Sequence, residues 1–122
     1  MTIKQNLIGS GTPAGQANNI AGLANAGLTA TGTVQTDALA IQVSHNQYST
    51  VAAGTGALLP SFAQPGDTIR VFNNGANALL VYPPTGGAIN NGATNAGFSV
   101  AANKGAQFTM VSATLWGSLL SA

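Results

Sequence analysis

Past Leu28 the chain meets a turn signal about every ten residues. Pro65-Gly66-Asp67, Asn74-Gly75, Asn91-Gly92 and Asn103-Lys104-Gly105 are built from residues that favour tight backbone reversals. The stretches between them carry Val, Ile, Thr and aromatic side chains, which suit a pleated surface. In TIRVFN, residues 68–73, Ile69, Val71 and Asn73 share one face while Thr68, Arg70 and Phe72 share the other. The expected fold is therefore all-β. A single antiparallel β-sandwich or barrel, jelly-roll-like in its closure, fits this spacing better than βαβ units.

Within that frame Asn74-Gly75 is expected to close a hairpin and return the chain as NALLVYPP. GFSVAA and AQFTMVSA are expected to pair across Asn103-Lys104-Gly105, and TLWGSLL to close the chain as a last strand. In ALLVY both faces are apolar, so this strand is expected to be central or covered by another subunit. That makes Leu79 and Val81 candidate subunit contacts.

Residues 1–27 read differently, as an N-terminal arm ahead of a β domain at 28–122. Pro13 suits a first helical position after Thr12, and Ile20, Leu23 and Ala24 lie on one helical face that Gly27 would end. The high glycine content equally suits an extended or flexible arm, and the sequence leaves both open. Ile3, Leu7, Ile8, Ile20 and Leu23 are its candidate anchors on a neighbouring subunit or another partner surface.

Charge is nearly absent. Three basic and two acidic side chains give a net charge of +1, and charged residues make up 4% of the chain. About 25% is usual for a soluble domain. Hydrophobic residues are an ordinary 45%, so the missing charge has been replaced by Asn, Gln, Ser, Thr and Gly. Disorder needs low hydrophobicity with high net charge, which this chain lacks. No apolar run is long enough to span a bilayer as a helix, and no Lys/Arg cluster is present to bind nucleic acid through counterion release. Neither a membrane nor a nucleic-acid partner is expected. A surface destined for burial in an assembly does not need charge, because interface cores are depleted in Lys, Glu and Asp. The start of the chain lacks the apolar core of a signal peptide, so synthesis is expected in the cytoplasm.

Candidate chemistry is sparse. Gly9, Gly11 and Gly15 imitate a dinucleotide fingerprint, but TIKQN is a poor preceding strand and Asp37 falls in a β-turn. His45 is the only histidine and reads as a loop residue, with Ser44 and Ser49 merely nearby. Asp37 and Asp67 each stand at a turn, where Asp is expected on backbone grounds alone. With no cysteine and no glutamate, a metal site has too few ligands. No catalytic constellation, metal or cofactor is expected. Tyr82 and Trp116 are expected to pack in the core or an interface, with a sugar-stacking platform as the alternative.

The segments TATGTVQTDALAI, STVAAGTGALLPS, GDTIRVFNNGANALLVYPPTGGAINN and GFSVAANKGAQFTMVSATLW resemble small virion proteins of tailed bacteriophages. VYPPTGG, the following Asn/Gly run, the Phe-Ser-Val strand and the Trp near the end carry the likeness, which spans about three-quarters of the chain. The resemblance implies a head-decoration (cement) protein, trimeric, bound to the major capsid protein on the outer surface of the virion. A head-fibre, tail-fibre or baseplate domain that binds host glycans is the alternative it implies. It transfers no active-site residues.

Overall fold

The computed structural model describes residues 23–121. This region holds strands β1 (Ala24–Thr29), β2 (His45–Thr50), β3 (Gly56–Leu58), β4 (Thr68–Asn73) and β5 (Leu79–Tyr82). It continues with β6 (Ala88–Ile89), β7 (Phe98–Val100), β8 (Lys104–Ser112) and β9 (Leu115–Leu120). Six lie in one sheet, in the order β1-β2-β4-β8-β9-β6, and three in a second, β3-β5-β7. The all-β expectation is met.

The antiparallel expectation is corrected. β1–β2, β2–β4, β3–β5 and β6–β9 are parallel pairs, whereas β4–β8, β8–β9 and β5–β7 are antiparallel. Parallel neighbours require a long crossover, commonly a helix. Here the crossover is a strand of the other sheet. The chain runs from β2 into β3, back to β4, then out again to β5, and each circuit adds one parallel strand to each layer. One circuit returns His45 alongside Arg70, 25 residues later. The isolated parallel bridge Ala40–Leu58 continues this winding beside β3. After β5 the pattern changes, and β8 and β9 add an antiparallel hairpin to the larger sheet.

Two expected hairpins are therefore crossings between sheets. Asn74-Gly75 joins β4 to β5, which lie in different sheets. Neither residue has the positive φ of a two-residue hairpin turn. Instead, a Cβ on Gly75 would lie 2.7 Å from the backbone nitrogen and Cβ of Val51, so only glycine lets the chain pass there. The crossing is held by Asn73. Its Oδ1 accepts from Gly75 N at 2.9 Å, and its Nδ2 donates to the carbonyls of Asn77 and Val100, each at 2.8 Å. Likewise Asn103, at φ 63°, turns the chain from β7 in the small sheet to β8 in the large one.

The boundary of the arm moves too. Residues 24–27 belong to β1, which pairs with β2 from Ala24–His45 onward. Gly27, expected to end a helix, sits at φ 71° where the register shifts between Asn25 and Leu28. Its N–H donates to Gln47 Oε1 at 2.7 Å. It serves an irregularity in a strand. The expected helical or extended arm otherwise falls at 1–22, outside the described residues.

One buried cluster joins both sheets: Tyr48, Ile69, Val71, Phe108 and Trp116 from the larger meet Ala57, Leu79, Val81 and Val100 from the smaller. Phe98 meets Phe108 edge-on across the gap, with ring centroids 5.6 Å apart and planes at 90°. In β4 the alternation read from the sequence holds, with Ile69, Val71 and Asn73 buried.

Candidate interaction surface

The outer face of the large sheet follows from the same alternation. In β8, Ala106, Phe108 and Met110 point into the core, which leaves Gln107, Thr109 and Val111 outward. In β9 the inward Trp116 leaves Leu115, Gly117 and Leu119 outward. Val111 lies over Gly117, whose Cβ would stand 3.7 Å from Val111 Cγ2. Val111, Leu115 and Leu119 are 58%, 37% and 70% exposed, and Leu120 at the strand end is 53% exposed. Further across the face, Phe72 lies over Gly105, again where a side chain would crowd it.

A polar row crosses the same face. His45 Nε2 lies 3.0 Å from Arg70 Nη1, and Arg70 Nε donates to Gln107 Oε1 at 3.2 Å. A guanidinium can only donate, so His45 Nε2 accepts and its proton resides on Nδ1. Nδ1 then donates to Ser44 Oγ at 3.0 Å, and Ser44 Oγ donates to the Leu23 carbonyl at 3.3 Å. The histidine is thus the first residue of β2, not a loop residue. Its neighbour is a cation where a catalytic base needs an orienting acid.

Both aspartates serve turns. Asp37 Oδ1 accepts from Thr33 N and Val34 N, each at 2.9 Å, and Asp67 Oδ2 accepts from Gln64 N at 2.9 Å. No group of three or more His, Cys, Asp or Glu able to hold a metal occurs among the described residues. None of their helices is long and apolar enough to cross a membrane.

The candidates named from sequence separate clearly. Leu79 and Val81 are both fully buried in β5, the central strand of the small sheet, and are not contact residues. Their two-sided apolar pattern came from centrality, one of the two expected causes. Trp116 is 1% exposed and Tyr82 8%, so neither offers a ring face to a sugar. Tyr82 instead donates from its hydroxyl to the Thr33 carbonyl at 3.3 Å. Leu23 is half-buried and tied to β2 through its carbonyl, which accepts from His45 N at 3.0 Å. Ile3, Leu7, Ile8 and Ile20 lie outside the described residues. The exposed leucines of β9 were missed, although the alternation in TLWGSLL contains the signal: an inward Trp116 forces its neighbours outward.

Neither protein-family models, nor curated proteins, nor solved structures match this chain.

Proposed function

We propose that the protein is a structural virion protein, a capsid decoration (cement) protein that binds the outside of a bacteriophage head and stabilises contacts between major capsid subunits. The observation that carries this reading is the outer face of the large sheet. It presents Val111, Leu115 and Leu119 to solvent on a chain with five charges in all. Several exposed aliphatic side chains on one face of a nearly uncharged chain support a surface made to be covered. Stapling a shell asks for buried area repeated over many sites, with no catalysis and no cofactor. In this reading the protein is made in the host cytoplasm, assembles as a homotrimer and resides on the outer capsid surface.

The two sheets act as the layers of a small sandwich, supported by their common core and the Phe98–Phe108 contact. A jelly-roll-like relation has its support in the antiparallel pairs β4–β8, β8–β9 and β5–β7, beside the parallel winding of the other strands.

Gel densitometry of purified particles tests the role. A decoration protein is present on the order of hundreds of copies per virion, as a repeated lattice contact requires. A fibre or baseplate domain, the alternative that binds host glycans, is present in tens. Sedimentation tests the assembly, and a stable monomer of 12.0 kDa at micromolar concentration would refute it.

A further inference from the structure

Two Asn-Gly pairs lie past Leu28, Asn74-Gly75 and Asn91-Gly92. Such a pair carries chemistry as well as conformation. The glycine nitrogen can attack the side-chain Cγ of the asparagine before it, and a glycine has no Cβ to hinder the approach. The fold gives the two pairs opposite surroundings.

At Asn74-Gly75 the reacting nitrogen is locked away. Gly75 is buried, and its N–H donates to Asn73 Oδ1 at 2.9 Å. That acceptor is itself fixed, because Asn73 Nδ2 donates to the carbonyls of Asn77 and Val100, each at 2.8 Å. Val51 packs so closely that a Cβ on Gly75 would lie 2.7 Å from its backbone nitrogen. The other reacting group is tethered too, since Asn74 Oδ1 accepts from Gln47 Nε2 at 3.0 Å. Attack here requires the crossing between the sheets to open first.

Asn91-Gly92 stands on the connection between β6 and β7, where residues 90–95 are all exposed. The Gly92 N–H donates to the Ile89 carbonyl at 3.0 Å, a single turn bond at the surface that opens without disturbing either sheet. The loop is pinned on both sides of this pair. Asn90 Nδ2 donates to Ser118 Oγ at 2.6 Å, and Asn90 Oδ1 accepts from Ser118 N at 3.0 Å, which ties it to β9. Asn95 N donates to the Gly87 carbonyl at 2.7 Å, and Asn95 Oδ1 accepts from Gly86 N at 2.6 Å. A covalent change between these two clamps stays local.

We infer that Asn91 is a site of self-modification, deamidated and isomerised in the folded protein, while the same fold protects Asn74. Gly92 N bonds to Asn91 Cγ and gives its proton to solvent. The Cγ–Nδ2 bond breaks, and Nδ2 leaves as ammonia. Water then opens the cyclic imide at one carbonyl or the other, giving aspartate or isoaspartate. Water is the only co-reactant. Either product places a carboxylate on an uncharged loop and removes the net charge of +1, and isoaspartate also lengthens the backbone by one carbon. This inference is independent of the virion reading.

Full-length protein incubated at mildly alkaline pH tests it. Trypsin cleaves after Arg70 and Lys104, so both pairs fall in one peptide, residues 71–104, and their rates are compared within it. Electron-transfer fragmentation locates each new carboxylate and separates isoaspartate from aspartate. In the folded protein Asn91 is expected to convert at least about tenfold faster than Asn74, because the buried site must open first. In concentrated urea the two rates are expected to converge. The modified protein is expected to keep the urea midpoint of the unmodified one, and Asn91→Gln to remove the new acidic species from ion-exchange profiles. Asn74 keeping pace with Asn91 in the folded protein overturns the proposal. So does an Asn91 that persists as the amide while the unfolded chain converts, or a rate difference that survives in urea.

Discussion

Replacing Asn73 with Ala is expected to unfasten the two sheets. Asn73 is fully buried at the end of β4, and its amide makes three hydrogen bonds to backbone on the crossing and on β7. Truncation strands the Gly75 N–H and deprives the Val100 carbonyl of a partner, both at buried residues. The Asn77 carbonyl belongs to an exposed residue and can turn to water. Leaving a buried polar group unsatisfied costs about 1–3 kcal/mol. Two such groups, with the lost packing of the amide, give about 3–5 kcal/mol. Domains of this size are stable by about 5–15 kcal/mol, so the variant should sit near the limit of folding. Urea denaturation followed by tryptophan fluorescence measures the loss, since the only tryptophan, Trp116, is in the shared core. Asn77→Ala is the comparison: it removes one bond, from Nδ2 to the carbonyl of buried Val51 at 2.9 Å, and should cost about 1–3 kcal/mol, less than Asn73→Ala. A loss below about 1 kcal/mol for Asn73→Ala would refute the claim that this side chain joins the layers.

Gly75→Ala should cost at least as much, because the new Cβ meets the Val51 backbone at 2.7 Å; an unchanged thermal midpoint would show that the crossing can shift. Stability should decline at high pH through Tyr48. Its hydroxyl is raised from 10.0 to about 12 in the folded chain, so the folded state holds its proton more tightly than the unfolded one. The contribution is intact below pH 10 and is lost between about pH 10 and 12, reaching a few kcal/mol (about 3); Tyr48→Phe should flatten this slope in urea midpoints. Leu119→Arg should leave the fold intact, since the side chain is 70% exposed, yet weaken assembly by tenfold or more in sedimentation; unchanged assembly would place the interface elsewhere. Attachment to the proposed capsid partner should vary little with ionic strength, because five charges leave few pairs to screen; a steep loss on adding salt in a pelleting assay would refute an apolar contact.

Local chemistry alone determined several features of this protein. The face alternation of Ile69, Val71 and Asn73 was legible because side chains in a strand alternate whatever the strand pairs with. Asp37 and Asp67 could be placed at turns because their bonds reach backbone only three or four residues away. Partnership was not legible. A strand's hydrogen-bonding groups are the same for a parallel and an antiparallel neighbour, so 68–73 and 79–82 gave no sign that they belong to different sheets. Asn74-Gly75 permits a hairpin as readily as a crossing, and the choice fell to Val51 pressing on Gly75 and to the amide of Asn73 reaching Val100. The candidate sites divided for the same reason. Whether an apolar residue is core or contact depends on what covers its face, and only the tertiary structure buried Leu79, Val81 and Trp116 while leaving Val111, Leu115 and Leu119 in water.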